Sequence, residues 1–281
     1  MYKLIALDMD GTLLTSEKKI AESTKIALEK AEEKGVKVVL ASGRPIDGIT
    51  RYLEELNLLK KDDYVLSYNG GIVQNTHTKE IVSKAVLKGS DLKLLYDISK
   101  KLNVNIHAFS ATEGLITPKI SKYTQYEADM NGIEITIKDF NEIDDNEEII
   151  KVMMIDPAEI LDPAIEKLPK DLYEKYSVFK SAEFFLEFTN KEVDKGLGLK
   201  KLGEYLGIAK DEMIACGDAG NDLSMVKYAG MGVAMGNATN DVKEIANYIT
   251  LSNDEDGIAK VNKKTSRRNG FVFSFYEKFF T

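Results

Sequence analysis

The first hydrophobic run of the chain, KLIALD at 3–8, closes on a carboxylate. It is short and continuous, without polar alternation, which is the pattern of a parallel strand buried on both faces. ESTKIALEKAEEK follows at 22–34 with acid in its first turn and Gly35 placed to end it, so a helix is expected there. VKVVLAS (36–42) repeats the buried-strand pattern, and Pro45 opens a second helix that carries Tyr52, Leu53 and Leu56. Strand, helix, strand, helix implies a parallel sheet with right-handed crossovers. EMIACGD (212–218) and GVAMG (232–236) add two more buried strands, separated by a helix from about Asn221. Loops at the carboxyl ends of such strands build the site. Asp8, Ser42 and Asp218 all stand at those ends, so they converge although the chain separates them widely.

The middle has another texture. From about Lys84 to Thr189 the strands alternate more and carry longer polar breaks: NVNIHAF, GIEITI, EIIKVMMID, YSVFKS and EFFLEFT. Amphipathic helices are expected at 91–102 and 157–168. This reads as an inserted α/β domain with a half-exposed sheet, joined by linkers near 80–85 and 188–193. The domain division is therefore 1–83 and 190–261 for the core, 84–189 for the insertion, and a tail at 262–281. The tail, NKKTSRRNGFVFSFYEKFFT, combines five basic residues with six aromatics and fits neither a helical stripe nor a polar terminus. A charge run alone is weak evidence, so no function is assigned to it.

Composition narrows the classes. Net charge is −8, and a surface that acidic repels nucleic acid and anionic lipid, so neither is expected as a partner. One cysteine, Cys216, excludes an internal disulfide and a Cys-rich zinc site, consistent with a reducing compartment. The N-terminal run meets acid at Asp8 before a signal-peptide core could form, and no apolar run is long enough to span a bilayer. A cytoplasmic protein without an obligate protein partner is expected.

The candidate chemistry starts at Asp8-Met9-Asp10-Gly11-Thr12, directly after the first strand. Two carboxylates two apart at a strand end can share one direction, and burying both needs a cation. Oxygen ligands of this hardness suit Mg²⁺. An acidic turn alone would account for one aspartate, but not for the features at the other strand ends. Ser42 closes VVLAS; Lys195 lies in NKEVDKGLGLKKL; Asp218, Asn221 and Asp222 lie in GDAGND. A hydroxyl with adjacent amides and a lysine can hold phosphate oxygens, and Asp218 adds to the hard-oxygen set.

The four segments DMDGT, VVLASGR, DKG and GDAGNDLSM resemble the ordered motifs of the haloacid dehalogenase superfamily. SYNGG (67–71), GVAMGNA (232–238) and SNDEDGIAKV (252–261) resemble its Cof-type class IIB branch. The resemblance covers residues 1–261. It implies a Rossmann-like core with an α/β cap, Mg²⁺, and a phosphatase working through an aspartyl-phosphate. Carried over, Asp8 is nucleophile and metal ligand. Asp10 is general acid/base, with its backbone carbonyl on the metal. Ser42, Gly43, Lys195, Asn221 and the Met9 amide hold phosphate. Asp218 ligates the metal, and Asp222 supports it without binding it directly. For Asp10 to carry a proton, its pKa would be raised by the neighbouring carboxylate.

Other residues have plainer expectations. His107 sits in an alternating strand of the insertion as a structural residue or a substrate contact, His77 in a solvated turn, Cys216 inside a strand. Arg44, following Ser42 and Gly43, is either a contact for the leaving group or a surface ion pair. A hydrolase of small phosphorylated metabolites is the main reading. A phosphomutase and a phospho-receiver module are the alternatives. An insertion able to enclose a site and a base beside the nucleophile both speak against the receiver.

Overall fold

The computed structural model describes residues 2–260, so the basic aromatic tail lies outside the described residues. The chain opens with β1 (Leu4–Leu7), buried at every position. Helix α1 (Glu22–Glu33) turns Thr24, Leu28 and Ala31 inward at helical spacing. Gly35, in the left-handed region at φ +80°, ends the turn that feeds β2 (Lys37–Ala41). Helix α2 (Ile46–Glu55) starts after Pro45 and buries Ile49, Tyr52 and Leu53. After β3 (Tyr64–Ser67), a tight turn at Tyr68–Gly70 reverses the chain into β4 (Ile72–Asn75) and β5 (Ile81–Lys84).

The insertion, Ala85–Val193, is a compact unit of its own. Its elements are β6 (Leu87–Lys88), α3 (Gly89–Leu102), β7 (Asn105–Ser110), β8 (Gly114–Thr117), α4 (Lys122–Asn131) and β9 (Ile135–Ile137). They continue with β10 (Glu148–Ile155), α5 (Ala158–Ile165), α6 (Asp171–Lys175), β11 (Ser177–Ala182) and β12 (Phe185–Thr189). The strands order as β11-β12-β10-β7-β8-β9, with β6 also on β10, and all pairs but β8–β9 are antiparallel. One face carries Ile106, Ala108, Val152, Met154, Leu186 and Phe188, in one apolar core with Leu92 and Leu95 of α3. The other face is not half-exposed, as the alternation suggested. Its alternate positions, Lys151, Glu187 and His107, are polar yet buried. Lys151 Nζ stands 3.4 Å from Glu187 and 3.6 Å from Glu127 of α4, and 4.8 Å from the centre of the Phe109 ring. A lysine shared by two acids can be buried where an isolated one could not.

His107 belongs to that face. Its Nε2 lies 3.1 Å from Met153 Sδ, and its ring meets Phe109 and Phe185 edge-on. Burial first, and the Lys151 charge second, push its pKa down to about 3. An unfolded imidazole titrates near about 6.5. Between those values the unfolded chain takes up a proton that the folded chain refuses, so stability falls as pH falls through the window. At about pH 5 the loss is about 2 kcal/mol. His107→Phe keeps a ring at the position and removes that loss. The urea midpoint of the variant should therefore drop less between neutral pH and about pH 5 than that of the parent; equal drops would acquit His107.

The chain returns to the core with α7 (Lys195–Leu206), β13 (Met213–Gly217), α8 (Leu223–Tyr228), β14 (Met231–Ala234), α9 (Asn240–Ile245) and β15 (Tyr248–Ile249). The core sheet runs β15-β14-β13-β1-β2-β3-β4-β5. It is parallel from β15 to β3 and antiparallel in β4 and β5. Both faces are covered: Ile5, Leu7, Val38 and Leu40 pack with Leu28 and Leu53, and Leu4, Ala6 and Val39 pack with Leu199 and Leu202. β1 lies between β2 and β13, so successive connections leave it in opposite directions. That switch point opens a crevice at the carboxyl ends of the strands.

Candidate active site

Asp8 follows β1 at that switch point, its amide donating to the Cys216 carbonyl of β13 at 3.0 Å. The next turn is set by Gly11, at φ +89°. A Cβ there would stand 2.4 Å from Asp218 Oδ2, so glycine permits both the backbone conformation and the approach of the carboxylate. Thr12 Oγ1 then donates to Asp218 Oδ1 at 2.7 Å. On the other side, Asp194 caps α7 by accepting from the Leu197 amide, and Lys195, its first residue, is fully buried. Lys195 Nζ donates to Asp8 Oδ1 at 2.5 Å and to Asp222 Oδ1 at 2.7 Å. Asp222 Oδ2 accepts from the amides of Asp218 and Ala219, both at 3.0 Å.

The carboxylates of Asp8, Asp218 and Asp222 each bring an oxygen within 4.8 Å of the others. Three acids face one lysine. Burial pushes the Asp8 carboxyl up; Lys195 pulls against the rise, and the charges of Asp222 and Asp218 add to it. Burial also raises Asp218. On Lys195 the two neighbouring carboxylates outweigh burial and hold its pKa above the ordinary range. Such an excess of buried negative charge, presented by hard oxygens alone, fits a divalent cation of the Mg²⁺ type. Asp222 already accepts from Lys195 and two amides, which suits support of the site better than direct ligation.

Of the residues expected around phosphate, Met9 follows β1, Ser42 and Gly43 follow β2, Asn221 follows β13, and Lys195 begins α7. Ser42 is buried, its amide bonded to the Leu66 carbonyl and its own carbonyl accepting from the Asn69 amide. Met9 packs into the core, and the amides of Thr12 and Leu14 bond its carbonyl. The sequence reading gave no role to Asn69. It sits at φ +56°, a conformation that asparagine tolerates, and its Oδ1 accepts from Asn221 Nδ2 at 3.0 Å. A Cβ on Gly43 would stand 3.2 Å from the Asn69 amide. Asn69 thus bonds both Ser42 and Asn221, and SYNGG held the signal, an asparagine ahead of two glycines.

Asp10 differs most from expectation. Its carboxylate receives Arg44 Nε at 2.9 Å, Arg44 Nη2 at 2.7 Å and Lys18 Nζ at 2.8 Å. Burial works to raise its pKa, but the hydrogen bonds from Arg44 and Lys18 win, and the carboxyl lies below the usual range rather than above it. The nearest influences are two cations, not a neighbouring acid. Arg44 is partly buried with its guanidinium 5.7 Å from the Tyr52 ring centre, while the Asp10 side chain it pairs with is 40% exposed. Lys18 had drawn no attention in the sequence. Cys216 is buried in β13 with its thiol pushed up to about 12 by burial, and His77 is exposed with Nδ1 3.1 Å from the Leu59 carbonyl.

Residues 5–261 match the family model of the haloacid dehalogenase-like hydrolases. The chain belongs to this family. The hydrolase is 46% identical over 261 residues to YxeH of Bacillus subtilis (strain 168), to which a phosphatase function is ascribed, covering 92% of this chain and 96% of that one. A solved haloacid dehalogenase-like hydrolase from Bacteroides thetaiotaomicron superposes with a TM-score of 0.83 at 40% identity, covering 92% and 98% of the two chains. The sugar phosphatase BT4131, of haloacid dehalogenase subclass IIB, gives a TM-score of 0.74 at 28% identity, covering 92% and 96%. The α/β fold is that of these relatives, and the enzyme is a phosphatase of their family. No helix among the described residues is long and apolar enough to cross a membrane.

Proposed function

We propose that this phosphatase is a Mg²⁺-dependent phosphomonoesterase that hydrolyses sugar phosphates or similar small metabolites through phosphorylated Asp8. The observation that carries the reading is the buried Asp8 carboxylate, held by Lys195 within 4.8 Å reach of Asp218 and Asp222 at the switch point of the sheet. Asp8 attacks phosphorus and the ester oxygen leaves; water then attacks the phosphoaspartate and inorganic phosphate departs. Asp10 gives a proton to the leaving oxygen in the first step and takes one from water in the second. Lys195 Nζ, Ser42, Gly43 and Asn221 neutralise and orient the phosphoryl oxygens, with the Met9 amide beside them. Asp8, Asp218 and the Asp10 carbonyl would hold a Mg²⁺, which would neutralise charge on the transferring group. A subclass IIB sugar phosphatase among the similar solved structures supports the substrate class. The fully buried ammonium between two acids supports the phosphate role of Lys195.

The test is phosphate release over a panel of phosphorylated metabolites, with and without metal. Excess EDTA should abolish turnover, Mg²⁺ should restore it, and Ca²⁺ should restore it poorly, because Ca²⁺ prefers more ligands and a looser geometry than two carboxylates and a carbonyl provide. Full activity in EDTA would remove the metal from the mechanism.

A further inference from the structure

Two motifs of the sequence, GVAMGNA and SNDEDG, have no part in the chemistry above, yet both reach the loop that follows the nucleophile. That loop, residues 11–20, carries Thr12, which bonds Asp218, and Lys18, which bonds Asp10. Leu14 in its centre is bridged to Asp10 on one side and to Ile20 on the other. The loop has short-range bonds of its own, such as Leu14 amide to Met9 carbonyl and Thr15 amide to Lys19 carbonyl. Besides Tyr52 of α2, whose hydroxyl donates to the Lys18 carbonyl at 3.3 Å, its long-range anchors come from the far end of the chain. Asn237 Nδ2 donates to the Gly11 carbonyl at 2.8 Å. Asn253 Nδ2 donates to the Leu14 carbonyl at 2.8 Å, and the Asn253 amide donates to Asn237 Oδ1 at 3.1 Å, which links the two asparagines. Asp254 accepts from the Ser16 amide at 2.8 Å and from Ser16 Oγ at 2.6 Å. Asp256 accepts from Ser23 Oγ at 2.6 Å, just inside α1.

We propose that Asn237, Asn253 and Asp254 form a positioning clamp that fixes the 11–20 loop, and through Thr12 and Lys18 sets the places of Asp218 and Asp10. The anchors bond successive carbonyls and amides of one loop, at Gly11, Leu14 and Ser16, from residues more than two hundred positions away. Each spans the gap with a side-chain amide or carboxylate. Asn253 is the centre, because it both holds Leu14 and is bonded to the asparagine that holds Gly11. The loop's two functional side chains, at 12 and 18, flank the clamped residues. Small displacements there move the partners of two carboxylates at once, and a reacting geometry is sensitive to shifts of about 1 Å. The inference rests on the proposed roles of Asp8, Asp10 and Asp218.

The experiment compares the full chain with Asn253→Ala, Asn253→Asp, Asp254→Asn and Asp8→Asn. p-Nitrophenyl phosphate with Mg²⁺ is the substrate, and hydrogen exchange of peptides covering the loop is the second readout. Asn253→Asp has the shape of the parent but nothing to donate to the Leu14 carbonyl, so it carries the test if the alanine variant does not fold. Both Asn253 variants should lose roughly 10–100-fold in kcat with KM unchanged, while exchange speeds up in the loop and not in the rest of the core. Asp254→Asn keeps an acceptor for the Ser16 amide and should stay near the parent. Parental kcat in the Asn253 variants overturns the clamp, as does faster exchange spread over the whole core, which marks general destabilisation. If the parent releases no phosphate, or Asp8→Asn still does, the functional reading fails and the clamp with it. With those controls as expected, failure belongs to the clamp alone.

Discussion

Asp8→Asn should leave a folded phosphatase with no measurable phosphate release. The amide is a poor nucleophile toward phosphorus, and no other side chain of the cluster is free of structural duty: Lys195 holds Asp8 and Asp222, and Asp222 holds two backbone amides. The fold should survive for an electrostatic reason. In the parent, burial raises the pKa of Asp8, Lys195 pulls against the rise, and the charges of Asp222 and Asp218 add to it. The asparagine carries no charge to repel them, and its Oδ1 can still accept from Lys195. Thermal melting without metal should therefore match or exceed the parent's, while phosphate release falls below detection. Activity within about tenfold of the parent, equivalent to under about 1.4 kcal/mol of barrier, would move the nucleophile elsewhere.

The parts of the molecule that sequence made legible share a physical cause. β1, β2 and β13 are buried on both faces, so each is a continuous apolar run with a functional residue at its end. Helix α1 carries its apolar residues at regular spacing and stops at a glycine that needs positive φ. The hairpin of β4 and β5 was harder to see. IVQN and IVSK are four residues each, mixed in polarity, and their antiparallel pairing turns through 76–80, where Lys79 adopts positive φ. Helix α4 was missed because its inward face holds Glu127 and Asn131. The same polar interior hid the second buried face of the insertion's sheet. Lys151 and Glu187 read as solvent-facing positions in an alternating strand, and only their meeting across β10, β12 and α4 makes burial tolerable. Spacing identified the acids at the strand ends. Which charge lies closest to Asp10 is a matter of three dimensions: Arg44 comes from the end of β2 and Lys18 from a left-handed turn.

That surrounding bears on the other large effect, expected for Asp10→Asn. As an acid, Asp10 must hold a proton for the leaving oxygen; as a base, it must take one from water. The hydrogen bonds of Arg44 and Lys18 stabilise its ionised form, which is ready for the second task and not for the first. If Asp10 is the acid, those contacts have to loosen once substrate is bound. The two half-reactions can be separated by the leaving group. An alkyl phosphate expels a very basic alkoxide, so the variant should lose the general-acid factor of about 10²–10⁴. An aryl phosphate expels a weakly basic phenolate that needs little protonation, so phosphorylation of Asp8 should proceed. Hydrolysis of that phosphoaspartate still lacks its base, so the phosphoenzyme should accumulate. Rapid mixing should then show a burst of phenol followed by slow turnover with the aryl substrate, and no burst with a sugar phosphate. The asparagine leaves the backbone carbonyl in place, and its Oδ1 can still accept from Arg44 Nη2 and Lys18 Nζ, which share that oxygen in the parent, while the bond from Arg44 Nε to Oδ2 is lost. Trapped phosphoenzyme with only the aryl substrate would place the proton on Asp10. Equal slowing of both leaving groups, with no phosphoenzyme at any time, would make Asp10 an anchor for Arg44 and Lys18 and leave proton transfer to another group.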